Sequence, residues 1–143
     1  VDIWVRFADM SDGDCTVALR PHESIWYQAA HDLPGVKNIC NAVAAFVDGY
    51  DLGGVLITKL PPGGKIHPHV DNGWHADVHE KFYVSIASPE NSFFEFESGK
   101  ISASPGDCYW FRNDVPHWVT NDTDNERISM IVCVKTEMFK GLK

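Results

Sequence analysis

The 143-residue sequence contains no run approaching the roughly 20 apolar residues needed to cross a bilayer, and Val1 to Met10 do not look like a signal peptide. Positive charge is also scarce. Twelve Lys and Arg stand against 20 Asp and Glu, and a net charge of -8 argues against a nucleic-acid or anionic-membrane partner. Cysteines are few and scattered: Cys15, Cys40, Cys108 and Cys133 show neither the close pairing of a zinc ribbon nor that of a redox dithiol. They read as structural thiols of a reducing compartment, so a cytoplasmic protein with a small-molecule or peptidyl substrate is expected. Repeats and low-complexity tracts are absent, which excludes solenoids. Apolar material is ample, 44% hydrophobic and 12% aromatic, enough for one packed domain over residues 1–143 with no room for a second.

Residues 1–52 read as a support of helices and strands. From Val36 to Tyr50, Val36, Ile39, Cys40, Val43 and Val47 follow helical spacing, with Pro34-Gly35 at the entry. A shorter helix is expected from Ser24, as N-cap, to Asp32, and Ile3–Phe7 and Cys15–Leu19 have strand composition. Over residues 53–135, short β-branched and aromatic runs alternate with turn residues, as in an all-β barrel or sandwich. Strands are expected at Val55–Leu60, Ile66–Val70, Lys81–Ala87, Phe93–Glu97, Lys100–Ala103, Cys108–Phe111, His117–Thr120 and Arg127–Lys135.

The stretch His67-Pro68-His69-Val70-Asp71 places three potential ligands on one side of an extended strand. Positions two apart lie roughly 6.6 Å apart and can share a metal, whereas positions four apart cannot without a bend. The pair is therefore His67 with His69, or His69 with Asp71. His117 supplies a third group from a later strand. Two histidines and a carboxylate leave metal positions open, the facial arrangement that suits non-haem iron(II) and oxygen. Arg127 follows ten residues after His117, beyond a polar turn that would fold the two strands into a hairpin. That places it roughly 10 Å from the level of His117, a gap that a five-carbon diacid can bridge. The guanidinium fork suits the far carboxylate, and Ser129 faces the same way.

Together His69-Val70-Asp71, His117 and Arg127 resemble the His-x-Asp…His…Arg pattern of the iron(II)- and 2-oxoglutarate-dependent oxygenases. The segment from Thr58 through Pro61-Pro62-Gly63-Gly64 to His69 is similar to the aspartyl/asparaginyl β-hydroxylase-like branch, and the likeness spans about Gly54 to Lys135. The resemblance implies a double-stranded β-helix, a jelly-roll barrel like that of cupins, with His69, Asp71 and His117 as iron ligands. It also implies that Arg127, assisted by Ser129, anchors 2-oxoglutarate and that Thr58 lies near it. It implies further co-substrate contacts at Lys81, a second basic group where the branch usually has an arginine, and at Tyr83, where an imidazole commonly follows. The branch can lack the iron-binding carboxylate, which Asp71 supplies here. The implied reaction consumes O2 and 2-oxoglutarate, releases succinate and carbon dioxide, and hydroxylates an aspartyl/asparaginyl-type or other amino-acid substrate. Asn72 to Glu80, with Trp74, His75 and His79, reads as a mobile rim over the site.

Two alternatives use the same residues differently. Pro105-Gly106-Asp107 and Pro116-His117-Trp118 are similar to the second motif of cupins, whose metal would be held by His67, His69, Glu80 and His117. A β-sandwich that binds sugars or proteins would present Trp74, Trp110 and Trp118, although strand aromatics usually serve the core.

Overall fold

The computed structural model describes residues 1–143 and contains ten strands, all paired antiparallel, in two sheets. The strands are β1 (Asp2–Ala8), β2 (Ser24–Trp26), β3 (Asp51–Leu60), β4 (Lys65–His69), β5 (Glu80–Ala87), β6 (Ser92–Phe96), β7 (Gly99–Ile101), β8 (Cys108–Phe111), β9 (His117–Asn121) and β10 (Arg127–Lys135). The larger sheet runs β2-β1-β3-β10-β5-β8 and the smaller β4-β9-β6-β7. From β3 onward the chain alternates between the sheets at every strand except within the β6–β7 hairpin, returning from the smaller sheet to the larger after β4, after β7 and after β9. That winding defines a double-stranded β-helix.

The period of two sorts the side chains. On β10, Met130, Val132 and Val134 point away from the smaller sheet and are fully buried with Val55, Phe82 and Val84 against helix α2 (Val36–Phe46). Alternate residues Arg127, Ser129, Ile131 and Cys133 turn inward. The helix supplies Val36, Cys40 and Val43, with Val47 just past its end, as the periodicity requires. Between the sheets, Leu60, Tyr83, Phe94, Ala103, Phe111 and Val119 form a second core. All four cysteines are free thiols. No helix is long and apolar enough to cross a membrane.

Four expectations need correction. Cys15–Leu19 is a 3-10 helix, capped by the Asp14 side chain accepting from the Thr16 N–H, because a local turn bond outcompetes five residues of strand composition. Ser24 is the first residue of β2, paired with Ala8, so the helix there is only α1 (Ala29–Asp32). The helix expected to reach Tyr50 stops at Phe46. Finally, β9 and β10 are not a hairpin: they lie in different sheets, and the polar turn carries the chain across the barrel.

Candidate metal centre

β4 and β9 are neighbours in the smaller sheet, with His69 directly opposite His117. Each ring is oriented by a carbonyl two residues before it: Nδ1 of His69 donates to that of His67, within β4, at 2.8 Å, and Nδ1 of His117 to that of Val115, in the turn before β9, at 2.9 Å. A carbonyl can only accept, so both Nδ1 atoms carry the proton and both Nε2 lone pairs are left free, as metal-binding histidines require. The lone pairs converge on Asp71, with Nε2 of His69 3.7 Å from Oδ1 and Nε2 of His117 3.7 Å from Oδ2. The three ligand atoms lie within 4.8 Å of one another. Phe94, Phe96 and Phe111 surround the His117 ring, and burial lowers its pKa more than Val115 and Asp71 raise it. Two imidazoles held in orientation beside one carboxylate are a donor set that fits a divalent first-row metal.

Asp71 lies beyond the end of β4, and its position is fixed from elsewhere. Its N–H donates to the carbonyl of Asn113, whose buried side-chain amide donates to Ala76 in helix α3 (Trp74–Val78). Sequence reasoning missed Asn113, which carries no motif. It also read residues 72–80 as a mobile rim, whereas His79 is 2% exposed and stacks on His75 with ring centroids 4.2 Å apart. The stack lies over Gly53, where a Cβ would come within 2.5 Å of His75 and 2.6 Å of His79. The Gly53-Gly54 pair inside a strand was the available signal of such a close approach.

A cavity of about 370 Å³ opens beside the cluster and is lined by His69, Asp71, His117, Lys81, Tyr83, Thr58 and Ser129 among apolar side chains that include Leu56, Phe94 and Ile131. Its volume suits a small-molecule ligand. Arg127 does not line it. The guanidinium is 1% exposed behind Tyr83, to whose hydroxyl it donates at 2.8 Å, and its Nε has no partner. Burial lowers the Arg127 pKa and the nearby tyrosine only partly restores it. On neighbouring strands Ser85 and Ser129 are paired in register, and the buried Ser85 hydroxyl also has no partner. Thr58 is engaged, donating to Asp2 at 2.8 Å.

Other candidates fall outside the cluster. His67 is exposed and contributes only its carbonyl to His69. Glu80 accepts from the Trp110 indole at 2.8 Å, on the opposite face of β5 from Lys81, so the four-ligand cupin set does not assemble. Trp110 stacks on Phe139 outside the larger sheet and Trp74 packs on His22. Trp118 alternates with the inward His117, so the three indoles make no common platform.

Fold and cluster together describe a small β-helix protein with a two-histidine, one-carboxylate centre. Residues 7–137 match the aspartyl/asparaginyl beta-hydroxylase family, and the chain belongs to it. No curated protein sequence matches. Among solved structures, a cupin domain from Bordetella pertussis Tohama I aligns with a TM-score of 0.47 and 20% identity over 61% of this chain and 85% of that one. A predicted oxalate decarboxylase from Thermotoga maritima gives 0.47 and 15% over 59% and 67%, and a cupin protein from Bacteroides fragilis 0.48 and 20% over 62% and 70%.

Proposed function

We propose that this protein is an iron(II)- and 2-oxoglutarate-dependent oxygenase that hydroxylates an aspartyl/asparaginyl-type or other amino-acid substrate. The observation that carries the reading is one cavity with a three-ligand cluster at its wall and, behind Tyr83, a buried guanidinium lacking an anionic partner. His69, Asp71 and His117 would hold the iron. When bound, the metal supplies activation of O2 coupled to oxidative decarboxylation of the keto acid. The chain supplies position. Arg127, reached past the Tyr83 hydroxyl to which it donates and assisted by Ser129, would take the distal carboxylate of the diacid in a charge-assisted contact. Leu56, Ile66, Phe94, Phe111 and Ile131 keep the walls apolar and limit water around the reacting groups.

The test is anaerobic titration of the protein with iron(II) and 2-oxoglutarate. A weak visible charge-transfer band of the chelated keto acid is expected, followed by succinate formation when oxygen is admitted. Iron-loaded protein that neither binds 2-oxoglutarate nor forms succinate would refute the proposal.

A further inference from the structure

Lys81 opens a contact that the family resemblance does not suggest. Its Nζ lies 2.8 Å from Oδ2 of Asp71, and the two side chains are 16% and 18% exposed. Asp71 is its only acidic partner, and its neighbours across the ladder, Cys133 and Phe111, bring no counter-charge. The oxygen held by Lys81 is also the one facing His117, while Oδ1 faces His69. Asp71 and Lys81 offset each other, and an imidazole that coordinates a metal carries no charge, so an added divalent cation leaves the centre at plus two. In a half-buried site such an excess is poorly screened, so the ammonium opposes the cation and favours any anion that arrives with it.

We propose that Lys81 is a positioning residue that occupies one oxygen of Asp71 and leaves the other for the metal, so that a divalent cation binds weakly alone and tightly only together with a dianionic co-ligand. The inference rests on the metal reading above. The geometry has two consequences. Asp71 is restricted to one-pronged coordination, because the second oxygen is committed to the ammonium. The ion pair also fixes the carboxylate toward the two Nε2 atoms.

Cobalt(II) is a suitable probe because it binds the same ligands and reports its coordination in the visible spectrum. Its affinity is measured calorimetrically with and without 2-oxoglutarate for the parent protein, Lys81→Met, Lys81→Gln and Lys81→Arg, each checked for folding by circular dichroism. Lys81→Met is expected to bind cobalt(II) alone at least about tenfold more tightly than the parent, and to lose about tenfold of the mutual enhancement between cobalt and diacid. Its cobalt spectrum should change as the second Asp71 oxygen becomes free. Lys81→Gln can still donate to Asp71 but carries no charge, so it should share the loss of enhancement, whereas Lys81→Arg should keep it. If folded Lys81→Met or Lys81→Gln binds cobalt(II) no more tightly than the parent, with the enhancement intact, the clamp is overturned. Should the parent take up no more cobalt(II) than His117→Ala does, the metal reading itself fails and the clamp with it.

Discussion

Replacing Arg127 with glutamine separates a binding role from a structural one, because the two make opposite demands on stability. Arg127 is 1% exposed, makes one hydrogen bond, to Tyr83, and leaves Nε unpartnered. A buried cation without a counter-charge destabilises the fold that holds it. Glutamine removes the charge and gives up only one hydrogen bond, to Tyr83, so the variant's Tm should stay within about 4 °C of the parent's or rise. Affinity for 2-oxoglutarate should collapse: losing a buried charge-assisted contact costs roughly 2–5 kcal/mol, or about 30-fold to several thousand-fold. A thermal-shift assay on cobalt-loaded protein reads both quantities. At about 100 times its dissociation constant the diacid stabilises the parent by roughly 2.7 kcal/mol, and at the same concentration the variant should gain at most about 0.9 kcal/mol for a 30-fold loss and close to nothing for a several thousand-fold one. Arg127→Lys should recover only part of the shift, since a point charge cannot reproduce the two-pronged contact. If Arg127→Gln leaves 2-oxoglutarate affinity unchanged while Lys81→Ala abolishes it, the diacid lies in the other direction across the cavity and the anchor assignment is wrong.

Three further outcomes are expected. His67→Ala should leave metal affinity nearly unchanged and Asp71→Ala should lower it by at least about 100-fold in cobalt titrations, and the reverse pattern would move the metal to the histidine pair. Gly53→Ala drives a methyl group into the His75–His79 stack and should cost about 1–3 kcal/mol in denaturant unfolding, with weaker cobalt binding as α3 shifts; an unchanged unfolding midpoint would show that the stack has room. Burial foremost, and then neighbouring charge from His79 on His75 and from Lys135 on His79, pulls these two pKa values from 6.5 to about 3 and about 4. The unfolded chain therefore binds protons that the folded one refuses, so this stability is complete above about pH 6.5 and is lost as pH falls toward 4, by up to about 3 kcal/mol for His79. His79→Leu should flatten that acid limb in urea midpoints, and an unaltered slope would show that the ring is not held neutral.

Elements set by local pattern were the ones legible in the sequence. The helical spacing from Val36 to Val47 and the alternation of strands such as Val55–Leu60 depend on neighbours within a few residues, and those elements stand close to where they were expected. His69, Asp71 and His117 were legible as a set because a strand period of two constrains any shared ligand. Features that escaped the sequence depended on distant partners. The five residues of α3 are too few for a periodic signal, and their burial is decided by the missing side chain of Gly53, about twenty positions upstream. The turn between β9 and β10 has ordinary hairpin chemistry, and only the global winding shows that it crosses between sheets. The Asp71–Lys81 pair joins the two ends of a segment that looked like a loose rim.

That segment explains how a small fold combines a rigid centre with a tunable one. His69 and His117 face each other on paired strands, each ring locked by a carbonyl of its own strand or the adjoining turn, so their separation is set by sheet geometry and little can shift it. Asp71 has no strand to hold it. Its carboxylate is placed by Lys81, its backbone by Asn113, and Asn113 in turn ties α3 to the site through Ala76. Because α3 is seated by neutral imidazoles over a glycine, packing there is coupled to the third ligand without touching the first two. In the proposed metal site, changes in α3 should therefore alter how tightly the carboxylate engages a metal and leave the histidine pair in place, so that Asp71 would be the member most open to adjustment by the surrounding protein.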